Sequence, residues 1–286
     1  MAMNDPILTV KNLNVGYFSA RRELHAVRNV SFTLGREKVA IIGESGSGKS
    51  TVGRAIVRLL PEIAKISADE MQFEGQDMLA LSEKRMQAIR GARISMILQD
   101  PKFSLNPVMS VGEQVAEAYL AHHRVGRAEA KKRAIAQLAA VKIRDPEHVY
   151  TLYPHEVSGG MGQRIMIAMM LIPDPAMIIA DEPTSALDVT VRLQVLALLD
   201  DLVKERGIGL LFISHDLNLV QSFCDRVLIM YSGQVVEELA AADLGNARHP
   251  YTQGLLASLP RIGEHKGRLP VLDRQASWAE ALGRQP

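Results

Sequence analysis

The chain has 286 residues, 47% of them hydrophobic and 23% charged, and its 33 Lys and Arg against 32 Asp and Glu leave a formal net charge of +1. That is the make-up of one large globular domain, or of a domain with an appendage, and the charge balance gives no global reason to expect nucleic-acid binding. The single cysteine, Cys224, excludes an intrachain disulfide and a Cys-rich zinc or iron–sulfur site, and reads as a small buried apolar residue in a reducing compartment.

The opening MAMNDPILTVKNL lacks the basic flank and continuous apolar core of a signal peptide. Residues 7–42 read as short strands. Leu8, Val10, Leu13 and Val15, then Val27, Val30, Phe32 and Leu34, recur near period two. Lys38–Ile42 ends in Val39, Ala40, Ile41 and Ile42, the apolar run of a strand buried on both faces. A Gly-rich turn follows, then a helix carrying Val52, Ala55, Ile56 and Leu59 at helical spacing, stopped by Pro61.

Residues 110–145 read as mainly helical, with Ile135, Leu138 and Val141 on one face and Arg127–Arg133 as a solvated stretch. Gln163–Ile172 is a further helix ended by Pro173. Ile165–Ala180 is the most apolar stretch, but Pro173, Asp174 and Pro175 break it, and no run reaches the ~18 residues needed to span a bilayer. Met177–Ala180 is a second buried strand running into Asp181. Val191–Glu205 is an amphipathic helix with Gly207 as its C-cap, Leu210–Ile213 a third buried strand, and Asp225–Met230 with Gln234–Glu237 a hairpin around Ser232-Gly233. Strands alternating with helices predict an α/β fold with a mostly parallel sheet. The stretch near 100–172 reads as an inserted helical subdomain, and the tail after about 245, with Pro250, Pro260 and Pro270, as an extended appendage.

Gly43-Glu44-Ser45-Gly46-Ser47-Gly48-Lys49-Ser50 fits G-x-x-x-x-G-K-[ST] between a buried strand and a helix, the context its chemistry requires. Glycines let the backbone N–H groups turn inward as a cradle for phosphate oxygens. The helix start adds about half an elementary positive charge. Lys49 is placed to reach the β- and γ-phosphates, and the Ser50 hydroxyl to ligate Mg²⁺. The loop alone specifies a nucleoside triphosphate and nothing finer, because kinases, GTPases and motors share it. Asp181-Glu182, at the end of an apolar strand, supplies a carboxylate for the metal and one that can accept a proton from a water in line with the γ-phosphate. Taken alone, the pair reads equally well as a strand-end cap for the next helix.

Further motifs make the resemblance specific. Ser158-Gly159-Gly160-Met161-Gly162-Gln163-Arg164 looks like the signature sequence of ATP-binding cassette (ABC) proteins, Gly43–Thr51 like their Walker A loop, Met177–Glu182 like Walker B and Ser185-Ala186-Leu187-Asp188 like the D-loop. Gln99 stands at the Q-loop place and His215 at the switch-histidine place, all in family order over roughly residues 7–240. Met96–Pro101, Ser104–Pro107, Tyr153–Glu156 and His249–Leu256 resemble the oligopeptide, dipeptide and nickel branch of ABC importers. Val157 replaces the usual Leu before the signature, Met161 the usual Gln, and Gly162 stands where the branch commonly has Arg.

The resemblance implies a P-loop NTPase (RecA-like) core over residues 1–245, with an N-terminal antiparallel β subdomain and a helical subdomain near 100–172, followed by a transporter-type tail at 246–286. It implies Mg²⁺-dependent ATP hydrolysis in a sandwich dimer. Gly43, Ser45, Gly46, Ser47, Gly48, Lys49, Ser50 and Thr51 of one subunit would hold ATP, covered by Ser158, Gly159, Gly160 and Gln163 of the other, with Asp188 nearby. Glu182 would be the general base and His215 the γ-phosphate sensor. Ser50, Gln99 and Asp181 would serve Mg²⁺, and Tyr17 would stack on adenine, although Phe18 is adjacent. Implied partners are a second ATP-binding subunit, identical or paralogous, two membrane permeases, and indirectly a solute-binding protein. That places the chain on the cytoplasmic face of the inner membrane, as the ATPase of an importer for peptides or similar small solutes, without nucleic acid. The alternative is a soluble ABC ATPase acting on nucleic acid or ribosomes. That reading lacks the long coiled-coil insertion of DNA-repair types and the second cassette usual in ribosome-acting ones.

Overall fold

The computed structural model describes residues 6–19, 22–97, 105–185 and 187–259. The chain divides into two compact units, one built on residues 80–211 and the other on residues 8–79 together with 212 onward.

In the second of these, β1 (Leu8–Ser19) and β2 (Arg22–Leu34) are long rather than short strands, paired antiparallel. Leu8, Val10, Leu13, Val15, Val27, Val30, Phe32 and Leu34 are all buried. The three-residue steps that break period two have a physical cause. Asn12 and Asn29 both adopt positive φ, 51° and 50°, which asparagine tolerates better than most residues, and the ladder shifts register there. β4 (Ala64–Ser67) and β5 (Glu70–Phe73) also pair with β1, and β6 (Gln76–Asp77) with β5, giving an antiparallel sheet that the sequence reading did not extend past residue 61. β3 (Lys38–Ile42) is buried along its whole length and runs parallel to β10 (Arg226–Tyr231), whose hairpin partner is β11 (Gln234–Ala240). The hairpin turn has Ser232 at φ 45° and Gly233 at φ 85°, the doubly positive turn whose twist matches the flanking strands.

In the unit built on 80–211, β7 (Ile94–Ile97) runs parallel to β8 (Met177–Asp181). The helices are α2 (Glu83–Ile89), α3 (Val111–Leu120), α4 (Arg127–Ala140), α5 (Pro146–Thr151), α6 (Gly159–Leu171) and α7 (Val189–Arg206), while α1 (Lys49–Ile56) belongs to the other unit. On α4 the buried face is Ala130, Ala134, Gln137 and Leu138. Ile135, expected on that face, is only half-buried. Lys131, Lys132 and Arg133 are exposed, a solvated face. Arg206 ties three helices together, donating to Leu171 O and Gln137 Oε1, both at 3.0 Å. The Ser95 hydroxyl of β7 donates to Met170 O at 2.6 Å, fixing the end of α6 to the strand beside β8. β9 (Gly209–Ser214) is buried throughout and carries the chain out of this unit; α8 (Leu217–Phe223) follows. Full burial of each such aliphatic side chain is worth about 1.5–3 kcal/mol. Cys224 is buried, as its type predicts. Among the described residues no helix is long and apolar enough to cross a membrane.

The tail is not extended where it is described. Pro250 sits in the first turn of α9 (Pro250–Ala257), a place where its missing N–H costs nothing. The His249 imidazole caps this helix, its Nδ1 accepting from Tyr251 N at 3.2 Å. Glu237 of β11 accepts from the amides of Arg248 at 2.6 Å and His249 at 3.2 Å. Burial pushes the His249 pKa below 6.5, only partly opposed by the Glu237 charge. The neutral imidazole is therefore the form the docked helix favours. Its contribution is fully present above pH 6.5 and is lost as pH falls through the lowered folded value. Amides of residues 250–257 should exchange with deuterium faster at about pH 5.5 than intrinsic rates predict from about pH 7.5. His249→Asn, which keeps a capping acceptor and cannot titrate, should remove that dependence. An unchanged pH profile in His249→Asn would show that the imidazole is not its source.

Candidate functional site

The glycine loop leaves β3 and enters α1, whose first residue is Lys49. A Cβ on Gly43 would lie 2.1 Å from Met230 O, so only glycine permits β10 to pass this close. Gly48, at φ 100°, is likewise closed to a side chain by Ala26 O at 2.4 Å. Ser47 O accepts from Gly233 N at 3.0 Å, and Arg28 donates to Ser232 O at 2.6 Å, which anchors the hairpin turn beside the loop.

The Lys49 ammonium is buried and arches over the loop, donating to Gly43 O and Glu44 O at 2.8 Å each. A phosphate oxygen placed there would exchange two carbonyl partners for a full negative charge. The Ser47 hydroxyl is buried with no hydrogen-bond partner. An orphaned hydroxyl inside a glycine cradle beside a buried ammonium fits a phosphate-bearing ligand. Ser45 and Gly46 are exposed at the loop tip, and Ser50 and Thr51 are half-buried on α1. His215 follows β9 and is exposed, while Asp216 caps α8, accepting from Leu219 N at 3.0 Å. Tyr17 is half-buried on β1. Of the adjacent pair it is Phe18 that is taken up, edge-on to His25 and under the Lys65 ammonium at 5.0 Å.

In the other unit Asp181 ends β8 and is buried. Glu182 follows at φ 48°, the left-handed region, at a cost of about 1–3 kcal/mol for a residue of this shape. Such strain persists only where neighbours over-determine it. Here Glu182 O accepts from Ser185 N at 3.3 Å and Ser185 Oγ at 3.2 Å, and Pro183 O accepts from the Gln163 side chain. Gln163, expected with the signature as a nucleotide contact, is thus turned inward and buried against the turn that carries Glu182.

Ser158 caps α6, its Oγ accepting from Met161 N at 3.3 Å, which leaves its own hydroxyl hydrogen free to donate outward. α6 continues through Gly162, with Gly162 N bonded to Ser158 O at 2.8 Å. Gly160 lies in close approach to α7, where a Cβ would meet Val191 Cγ1 at 2.7 Å and the valine would have to shift. Asp188 caps α7, accepting from Val191 N at 3.0 Å. These residues converge. Ser158, Gly159, Gly160, Arg164, Leu187 and Asp188 line one open concavity of about 550 Å³. The sequence placed signature and D-loop 30 residues apart, and the fold brings them to one face. Gln99 lies outside the described residues.

The sequence profile of ABC transporters matches residues 27–185. The chain belongs to the ABC transporter family. It is an ATP-hydrolysing cassette of that family. This ABC cassette is 47% identical over 259 residues to the oligopeptide transport ATP-binding protein OppD of Bacillus subtilis, covering 90% of this chain and 72% of that one. It is 46% identical to the protein named 'Probable peptide ABC transporter ATP-binding protein y4tR' of Sinorhizobium fredii, covering 94% and 81%. The glutathione import ATP-binding protein GsiA of Escherichia coli is 45% identical, and this chain spans 43% of it. Among solved structures, the dimeric ATP-binding cassette MJ0796 bound to ADP and Pi matches with a TM-score of 0.72 at 29% identity, over 82% of this chain and 98% of that one. CbiO1 of Clostridium perfringens matches with a TM-score of 0.73 at 28% identity, over 85% and 92%.

Proposed function

We propose that this ABC cassette is the motor subunit of an importer that carries peptides or similar small solutes across the bacterial inner membrane, seated on its cytoplasmic face. The observation that carries the reading is the near-half identity, over nine-tenths of the chain, to two subunits named for peptide transport. The relatives above are named for transport or import, which leaves the nucleic-acid or ribosome reading without support.

In this reading Lys49 and the loop amides bind the β- and γ-phosphates, with the Ser47 hydroxyl inside the cradle. Glu182 accepts the proton of the attacking water, and His215 holds the γ-phosphate end. Tyr17 offers its ring to adenine. On sequence grounds the Mg²⁺ roles fall to Ser50, Gln99 and Asp181; the ion would supply charge neutralisation at the phosphates. The concavity under Ser158, Gly159, Gly160 and Asp188 receives the nucleotide of a second ATP-binding subunit. Beside it a groove of about 480 Å³ runs between Leu105 and Pro107 on one side and Pro154, His155 and Val157 on the other. Gln114 pins its rim by donating to Asn106 O at 2.9 Å and Met109 O at 3.0 Å, and Val108 next to it is 78% exposed. A membrane permease segment docked there would feel the signature helix move, because Ser158 and Gly159 line both concavities.

The test is to solubilise native membranes in mild detergent and identify what a tagged chain carries with it. Two polytopic permeases, with or without a second cassette, are expected. Recovery only from the soluble fraction with ribosomes or DNA would sink the importer reading and leave the ATPase assignment standing.

A further inference from the structure

The phosphate loop is also held from the C-terminal side, by the segment His249–Leu256. Tyr251, in the first turn of α9, has no exposed surface, and its ring lies 4.5 Å, centroid to centroid, from that of Tyr231 at the end of β10. Its hydroxyl accepts from Glu44 N of the phosphate loop at 3.1 Å. The helix that delivers it is fixed at its start, where Glu237 accepts the Arg248 and His249 amides. From outside the loop, Gly233 N bonds Ser47 O and Tyr251 bonds Glu44 N.

The two grips on Glu44 differ in kind. Glu44 O is held by Lys49, a charge that nucleotide phosphates compete for. Glu44 N is held by a neutral hydroxyl on a buried ring, a bond that does not involve the Lys49 ammonium. It can therefore persist as Lys49 turns to its ligand. Packing against Tyr231 needs only the ring, which phenylalanine would also supply, so removing the hydroxyl tests its bond to the loop. We propose that Tyr251 is a positioning residue for nucleotide binding, through which the C-terminal segment sets how well the phosphate loop is preorganised for ATP. This rests on the ATP-binding reading above.

The test is Tyr251→Phe in the full-length chain. Equilibrium binding of a non-hydrolysable ATP analogue with Mg²⁺, steady-state ATP hydrolysis, and the unfolding midpoint without nucleotide would be measured. Loss of one positioning hydrogen bond should raise Kd and KM about three- to tenfold while kcat stays within about twofold. The midpoint without nucleotide should shift by no more than about 2 °C. Thr252→Val, which alters a buried hydroxyl of the same helix, should leave Kd unchanged. A Kd unchanged in Tyr251→Phe, or one raised equally by Thr252→Val, would overturn the inference, the second result showing that helix docking in general is what matters. If the wild-type chain failed to bind the analogue, the ATP-binding reading itself would fall first.

Discussion

Glu182→Gln is expected to lower kcat for ATP hydrolysis by about 10²- to 10³-fold while ATP affinity stays within about threefold, the loss typical of a removed general base. Glutamine has the shape of glutamate and meets the same steric cost at φ 48°, and the backbone oxygens of Glu182 and Pro183 accept their bonds within the turn whichever side chain is present. The amide cannot take a proton from water, so kcat should fall with KM little changed. Phosphate release under saturating ATP, with equilibrium ATP binding alongside, reads both numbers. Hydrolysis at the wild-type rate would remove Glu182 from the mechanism.

Gly43→Ala should abolish ATP binding, with affinity falling by at least about 10²-fold, whereas Gly46→Ala should cost about 1 kcal/mol and leave binding measurable. Both glycines belong to the same motif, but their surroundings differ. A methyl at Gly43 would sit 2.1 Å from Met230 O, a backbone atom of a strand buried from Val227 to Tyr231 that cannot swing aside. At Gly46 the φ of 81° is unfavourable for alanine, yet nothing lies within 4 Å of the new methyl. Nucleotide titration of both variants, with unfolding midpoints as the control, separates steric closure from backbone strain. Equal losses in the two would mean that the approach of β10 does not shape the loop.

The parts of the site that were legible in the sequence are those whose chemistry is local. A strand, a glycine turn and a helix start in one run of residues make a phosphate cradle, and an apolar strand ending in Asp181-Glu182 carries its carboxylates wherever the strand goes. The three-residue step from Val10 to Leu13 is a bulge at Asn12, where a register shift preserves burial at the expense of spacing. β7 is harder to see in the sequence than Met177–Ala180 or Leu210–Ile213 because Ser95 interrupts its apolar run, although Ile94, Ser95 and Ile97 are all buried. Its place in the motif points to Gln163 as a ligand contact, while its burial against Pro183 O depends on which face of α6 meets the turn after β8.

The sequence by itself determined the fold class, the family, the phosphate loop and the identity of the acidic pair. The loop and the acidic pair are each short contiguous runs, and the fold class and family follow from the order of such runs along the chain. Only the tertiary structure decided that signature and D-loop share one concavity, that Glu182 is held in a strained turn by Ser185 and Gln163, and that Tyr251 holds the loop at Glu44 across 207 residues of sequence. A hydroxyl that far along the chain carries no periodicity or spacing that points to its partner. The contact exists because β10, β11 and α9 pack in one arrangement, and packing is a property of the whole unit rather than of any segment within it.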